Sequence, residues 1–424
     1  MSGERVFITG MGALTPYGLG VDAYWEGILS GKNGIRPITR FDASAYTCQV
    51  GGCLPEEFRI EDHIDAELVP RMGGVQAHAI ITAQEALSHG GLRIEDVDTS
   101  RFGVIAGSGL GEVAVVDALY DVFSEGDQVE SRPSRDARVL AFHLMLSGVS
   151  GWVAAHFDLK GPNDSLCLAC ASGNAAIAQA AQLIRAGHAD RMLAGASDRF
   201  HEYTVIFFMN SKAIAKSTNP LATDVMRPFD VNRSGIVLSD GAAFLLLESE
   251  SAARERGATI YGEILGSGQT CDAYSMVMPR PDGDPITEAI RACLEDSKLA
   301  PEDVEYVCAH GTGTRANDPT EVAALKRALG DHAYRIPVSS LKSYHGHALG
   351  ASSALELIAG IQGSRAGIVP HTLHLQDPDP ECDLDHVPST NRAHRYSVFL
   401  NNSFGFGGQN VVIGVRAGDP QEGP

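Results

Sequence analysis

Positive charge is scarce in this chain. Lys and Arg number 33 against 53 Asp and Glu, a formal net charge of −20 at pH 7. Such a surface repels nucleic-acid phosphates and anionic membranes, which argues against non-specific binding to either and leaves room for at most a small local basic patch. Long apolar runs are missing too, and none approaches the roughly 18 residues that a membrane span needs. The first residues run straight into a strand pattern, Val6-Phe7-Ile8-Thr9-Gly10, without the basic and apolar regions of an export signal. The eight cysteines, at 48, 53, 167, 170, 271, 293, 308 and 382, are scattered rather than spaced as a disulfide framework. Together these features lead to the expectation of a protein of the reducing cytoplasm. No linker stands out in 424 residues, a length that implies two fused or interlocked units.

Two chemical signatures are incomplete. The strand Val6–Gly12 ends in glycines but does not finish Gly-x-Gly-x-x-Gly, and Gly107-Ser108-Gly109-Leu110-Gly111 breaks off at Glu112. Without the full fingerprint a dinucleotide site is not indicated. Cys167-x-x-Cys170 and His345-x-His347 have ligand-like spacing, yet neither is matched by a second knuckle, so no structural metal is expected. Cys167 falls in the incoming strand, with its side chain expected in the core.

What is present is an ordinary globular balance, 44% hydrophobic and 20% charged, arranged as alternating strand and helix patterns. Strands are expected at Phe102–Ala106, Arg191–Ala196 and Ala242–Glu248, with helices at Asp22–Ser30, Gly74–Ser88, within Pro133–Phe157 and at Ala175–Ala186. The pattern then restarts. Ile260–Gly266, Glu305–Ala309 and Ile336–Ser340 read as strands and Pro285–Ser297, Pro319–Leu329 and Ala348–Ile361 as helices. Val398–Asn402 and Asn410–Val415 form a closing strand pair. Alternation of this kind means an α/β fold with largely parallel sheets. The break near 255 suggests duplication, with one unit over 1–255 and another over 256–424.

Candidate chemistry sits at strand ends, where open α/β sheets bind ligands. Ser165-Leu166-Cys167-Leu168-Ala169-Cys170-Ala171-Ser172-Gly173 reads as strand, sharp turn, helix. Cys170 at that bend is either a nucleophile whose thiolate the first helical turn favours or a buried structural thiol. His310-Gly311-Thr312-Gly313-Thr314 follows another strand. Ser340-Leu341-Lys342-Ser343-Tyr344-His345-Gly346-His347 packs a lysine and two histidines into one turn. Asn402-Ser403-Phe404-Gly405-Phe406-Gly407-Gly408 is a glycine loop able to offer backbone N–H groups. Lys212, Lys216, Arg227 and Arg233 make Asn210–Gly235 relatively basic, as a solvated loop or a docking patch.

These four stretches, in this order, resemble the signature set of β-ketoacyl-acyl-carrier-protein synthases, the elongating type II-like branch that includes polyketide ketosynthases. Arg227-Pro228-Phe229-Asp230 and Asn317-Asp318-Pro319-Thr320-Glu321 support the match, which runs from Val6 to Val415. The resemblance implies a thiolase-like fold, a duplicated five-layered α-β-α-β-α core, and usually a dimer, as homodimer or paired with a chain-length-factor-like subunit. It also implies a decarboxylative condensation. Cys170 would carry the acyl group, and the N–H groups of Cys170 and Phe406 would form the oxyanion hole, with Phe406 as gate beside Phe404. His310 and His347 would bind the malonyl thioester carbonyl. Lys342 would tune the site with Glu356 as its buried partner. Thr312, Thr314, Leu110 and Gly407 would contact substrate, with further pocket lining near Phe142. No intrinsic cofactor is implied; substrates would arrive on the phosphopantetheine of acyl carrier protein. Alternatives are a non-catalytic chain-length-factor-like subunit and a cysteine acyltransferase or hydrolase without decarboxylation. The chain departs from the family pattern at His345 and Val277, where threonine is common, at Arg233-Ser234-Gly235-Ile236, and in having only Arg71 as a basic residue between Asp65 and Gly74. These departures tilt the reading toward a specialised polyketide or polyene pathway.

Overall fold

The computed structural model describes residues 4–116 and 145–418. Among the described residues, five strands of the first half lie along the main sheet: β1 (Val6–Thr15), β2 (Phe102–Gly107), β3 (Asn163–Leu166), β4 (Arg191–Asp198) and β5 (Gly241–Ser249). Five more from the second half continue it: β6 (Gly262–Cys271), β7 (Tyr306–Cys308), β8 (Val338–Ser339), β9 (Val398–Gly405) and β10 (Gln409–Ala417). Across the sheet the first set runs β1-β5-β4-β2-β3 and the second β6-β10-β9-β7-β8. Both follow the permutation first, fifth, fourth, second, third. The pairing senses agree as well: antiparallel, antiparallel, parallel, parallel in each half. The chain is therefore one α/β unit built twice. The two copies join where β1 pairs antiparallel with β6, Val6 opposite Ile264 and Ile8 opposite Gly262.

Helices fill the layers: α1 (Val21–Leu29), α2 (Gly74–His89), α3 (Gly148–Phe157), α4 (Ser172–Arg185), α5 (Glu202–Asn210), α6 (Glu250–Glu255), α7 (Asp284–Ser297), α8 (Asn317–Leu329), α9 (Lys342–His345) and α10 (Ala351–Ala366). Strands buried on both faces must be apolar throughout, and β5 is an example. Its Ala243, Leu245 and Leu247 face a central core with α4 and α10, while Phe244 and Leu246 face an outer core with α2 and α3. In the second half Phe399 and Ile413 point to the central core, and Leu400 and Val412 to an outer one with α7 and α8. An unbroken buried run from Ala351 to Ile361 suits α10 to the middle layer, because a helix apolar all round has to be covered all round.

The expected elements are present with shifted ends, but the sheet is mixed rather than largely parallel: five of the nine junctions along it are antiparallel, because each half closes with an antiparallel pair and the halves join antiparallel. α4 starts at Ser172, before the expected Ala175, and α10 starts at Ala351, after the expected Ala348. In the latter case the turn Lys342–His345 forms a short helix of its own. Only the last part of the expected Pro133–Phe157 helix is described, as α3; Phe142 lies outside the described residues. No helix among the described residues is long and apolar enough to cross a membrane.

α4 and α10 meet at their N-termini. The Gly173 N–H donates to the Gly350 carbonyl at 3.1 Å. A Cβ at Gly173 would stand 2.6 Å from Ser353 Oγ and 2.7 Å from that carbonyl, so glycine alone permits the approach. Asp198, buried at the end of β4, ties the junction together. Its carboxylate accepts from Ser108 Oγ at 2.8 Å, Gly109 N at 2.9 Å and Gly350 N at 2.8 Å. An amide pair locks the other side: Asn174 Nδ2 donates to Asn401 O at 2.9 Å and Asn401 Nδ2 to Asn174 Oδ1 at 2.8 Å.

Burial pushes the Asp198 carboxyl up to about 7, against the pull of the N–H and O–H donors around it. An acid whose folded value is raised binds more protons folded than unfolded. Its contribution to stability is therefore greatest below the unfolded value near 4 and is lost as pH climbs to about 7. Between about pH 5 and about pH 8, wild type should lose on the order of 2 kcal/mol more than Asp198→Asn does. Denaturant titrations of both proteins across that range check this; parallel stability profiles would contradict it.

Candidate active site

Cys170 lies in a single tight turn, Ala169–Ala171, between β3 and α4. Ala169 takes φ 47°, the left-handed region, which bends the chain sharply just before the sulfur. Ser172 Oγ braces the bend, donating to Ala169 O at 2.7 Å and accepting from Leu168 N at 2.9 Å. Gly405 passes directly over it: a Cβ there would lie 2.7 Å from Leu168 O and 3.1 Å from Cys170 N. Ser403 Oγ adds a bond to Cys170 O at 2.8 Å.

Against expectation, the helix terminus does not produce a resting thiolate. Cys170 is 6% exposed, and burial pushes its thiol up to about 12. Lys342 pulls it back, Asp198 raises it further, and the N–H groups of Phe406 and Cys170 itself lower it. Both amides thus lie close enough to the sulfur to act on it.

The second half brings the imidazoles. His310 follows β7, and Glu321 on α8 fixes its loop by accepting from His310 N at 2.8 Å and Gly311 N at 2.9 Å. Asn402 Nδ2 also donates to Glu321, at 3.1 Å. His347 lies between α9 and α10, its Nδ1 3.0 Å from Ser352 Oγ and its buried Nε2 unpartnered. The two rings stand 5.6 Å apart at 80°. Cys170, His310 and His347 each bring a donor atom, all within 4.8 Å of one another. Burial first, then Lys342, hold both imidazoles well below their usual range, so both are neutral.

Lys342 and Glu356 are fully buried and paired at 2.6 Å. Burial raises the Glu356 carboxyl while Lys342 lowers it. Glu356 lies about one and a half turns into α10, which carries its carboxylate to the Lys342 ammonium. Because Lys342 also acts on Cys170, His310 and His347, the pair sets the electrostatics of the site from beneath it.

A cavity of about 320 Å³ opens onto this cluster. Thr312, Thr314, Phe404 and Phe406 line it, and so does Val277. Phe406 is half-buried, its ring 5.4 Å from that of Phe208. Leu110 and Gly407 are not on its described wall. Leu110 is 43% exposed beyond β2, and Gly407 turns the β9–β10 hairpin at φ 82°. Lys212 and Arg315, both exposed, stand at the cavity's lining.

Several sequence expectations need correction. Cys167 is exposed rather than in the core, because β3 is the edge strand and no described strand lies beyond it. His345, where the family commonly has threonine, packs on α1, its Nε2 3.1 Å from Tyr24 Oη. Arg233 is 3% exposed and held by Asp379 and Asp318, and Arg227 pairs with Asp224, so neither is a free docking charge. Asp198, Ser352, Asn402 and Ser403 were not singled out as site residues. Their polar side chains serve loops brought together from distant segments, and no local spacing reveals that.

Fold and site together define an enzyme of the thiolase-like class. Family models match as β-ketoacyl synthase N-terminal domain over residues 3–253 and C-terminal domain over 261–376. The 3-oxoacyl-[acyl-carrier-protein] synthase 2 of Synechocystis sp. is 40% identical over 415 residues, 97% of this chain and 98% of that protein. A type II polyketide ketosynthase solved with its acyl-carrier protein and bound to a hexaketide superposes with a TM-score of 0.88 at 31% identity, covering 98% of this chain and 100% of that one. The ishigamide ketosynthase/chain length factor gives 0.89 at 33%, with the same coverage. The chain belongs to the β-ketoacyl synthase family.

Breaking the buried pair should be costly. Lys342→Met strands the Glu356 carboxylate and should destabilise by about 3–5 kcal/mol, whereas Lys342→Met combined with Glu356→Leu should recover most of that loss. Equilibrium unfolding of the two variants distinguishes a paired charge from a merely adjacent one.

Proposed function

We propose that the chain condenses an acyl group held on Cys170 with a malonyl unit on acyl carrier protein, releasing CO2. The observation that supports this most directly is the convergence of one thiol, two neutral imidazoles and two backbone N–H groups on one cavity.

In the first half-reaction the Cys170 sulfur attacks the acyl thioester carbonyl. The N–H groups of Cys170 and Phe406 hold the oxyanion as it forms. The thiol proton passes to a neighbouring imidazole and then to the departing pantetheine thiolate, leaving acyl-Cys170. Malonyl thioester then enters along Thr312 and Thr314. His310 and His347 donate hydrogen bonds to its thioester carbonyl. The Ser352 hydroxyl donates to His347 Nδ1, which keeps the proton on Nε2. Loss of CO2 leaves an enolate on that oxygen, and its carbon attacks acyl-Cys170. The β-ketoacyl thioester leaves on the carrier, and the cysteine thiolate takes a proton from solvent. Neutral imidazoles suit a step that builds an anion without consuming a base.

Substrate arrives on phosphopantetheine, and no organic or metal cofactor takes part. The cations Lys212 and Arg315 near the cavity suit the acidic character of a carrier protein. The edge strand β3, with Asn163 and Asp164 exposed, is where a second subunit would extend the sheet, either a copy of this chain or a chain-length-factor-like partner.

Intact-protein mass after incubation with acyl carrier thioester should rise by one acyl group in wild type and remain unchanged in Cys170→Ala. His310→Ala and His347→Ala should still acquire the acyl mass but release CO2 from malonyl carrier at least about 100-fold more slowly, the usual scale for losing a positioned acid or base. Acylation of Cys170→Ala, or unimpaired CO2 release by both histidine variants, would overturn the reading.

A further inference from the structure

The geometry points to a second ligand for the same three side chains: we infer that Cys170, His310 and His347 bind a zinc-type divalent cation that competes with the acyl group for the sulfur. A thiolate and two neutral imidazoles are a donor set zinc prefers, and three protein ligands leave a fourth position for water. In a tetrahedral site, one sulfur and two nitrogens stand about 3.5 Å apart. Here all three donor atoms already lie within 4.8 Å of one another. Closing the site needs a shift of little more than about 1 Å, within the reach of side-chain rotation.

A second observation supports it. His347 Nε2 is buried and has no partner, while its Nδ1 lies 3.0 Å from Ser352 Oγ. A metal-bound histidine is ordinarily oriented this way, one nitrogen on the ion and the other on a hydrogen-bond acceptor. The Ser352 hydroxyl can accept as readily as donate, so it serves both states of the ring. Lys342 acts on all three ligands, but Glu356 matches it at 2.6 Å and the Cys170 thiolate formed on binding offsets what remains. Cys167 takes no part: it is exposed, with its sulfur on Gly109 O at 3.5 Å.

Binding is a simple exchange. The six-coordinate hydrated ion keeps one water and sheds five, the Cys170 thiol loses its proton to solvent, and one metal–sulfur and two metal–nitrogen bonds form. Nothing is oxidised or reduced. An acyl group on Cys170 removes the sulfur ligand, so the acyl-enzyme is protected and the free enzyme is sensitive.

Cobalt(II) is the probe, because a thiolate ligand gives it a charge-transfer band and tetrahedral geometry gives it intense ligand-field bands. Wild type should bind one equivalent with both signatures, and zinc should displace it. The bands should persist in Cys167→Ser and be lost in Cys170→Ala and in His347→Ala. Alkylating Cys170 in wild type with iodoacetamide should abolish them too, a result that does not depend on a variant folding. One equivalent of zinc should abolish acyl transfer, and a chelator should restore it. Absence of the thiolate band, its survival in Cys170→Ala, or its loss in Cys167→Ser would overturn the inference. Metal binding does not depend on the condensation chemistry: bands with no acylation of Cys170 would sustain the site and sink the proposed reaction.

Discussion

Two helix ends pressed together without side chains between them hold this molecule's chemistry in place. Gly173 and Gly350 let α4 and α10 touch backbone to backbone, and the Asp198 carboxylate caps the contact from β4. Cys170 is three residues before one side of that contact and His347 three residues before the other. Because the junction is buried, with the Gly173 N–H on the Gly350 carbonyl and the Gly350 N–H on the Asp198 carboxylate, it cannot slide without stranding both, each at a cost of about 1–3 kcal/mol. The site inherits its precision from that contact rather than from the loops that surround the cavity.

The cluster is also an exercise in keeping charge under control. Burial alone would leave a thiol and two imidazoles that are neutral and unreactive. A single ammonium, matched by Glu356, biases all three without presenting a free cation to the substrate. The same burial that denies Cys170 a resting thiolate strengthens the two N–H groups directed at it, because hydrogen bonds to a developing anion gain most where water is absent. Reactivity is thus deferred to the moment a thioester carbonyl arrives.

Much of this was legible in the sequence. Strand and helix alternation gave the α/β layers, since strands such as β5, buried on both faces, read as continuous apolar runs. The residues that meet at the cavity each stood in a glycine-rich or strand-end setting, which marked them out. Other features were hidden. Cys167 looked like core because it borders an apolar run, but strand order, which sequence alone does not reveal, puts β3 at the edge. Arg233 looked like a surface cation because its segment is loop-rich; its partners Asp318 and Asp379 come from more than 80 residues away. Asp198 gave no signal at all, because a buried carboxylate at a strand end is defined only by the loops it collects.

The matched strand permutations of the two halves also bear on Cys170 and His347. Each follows the third strand of its own half and precedes the helix that enters the central layer. Nucleophile and imidazole therefore occupy one and the same position of a repeated blueprint, facing each other across a false mirror. A single fold position has been given two chemical personalities, and each can be edited in its own copy while the distance between them stays fixed by the symmetry they no longer share.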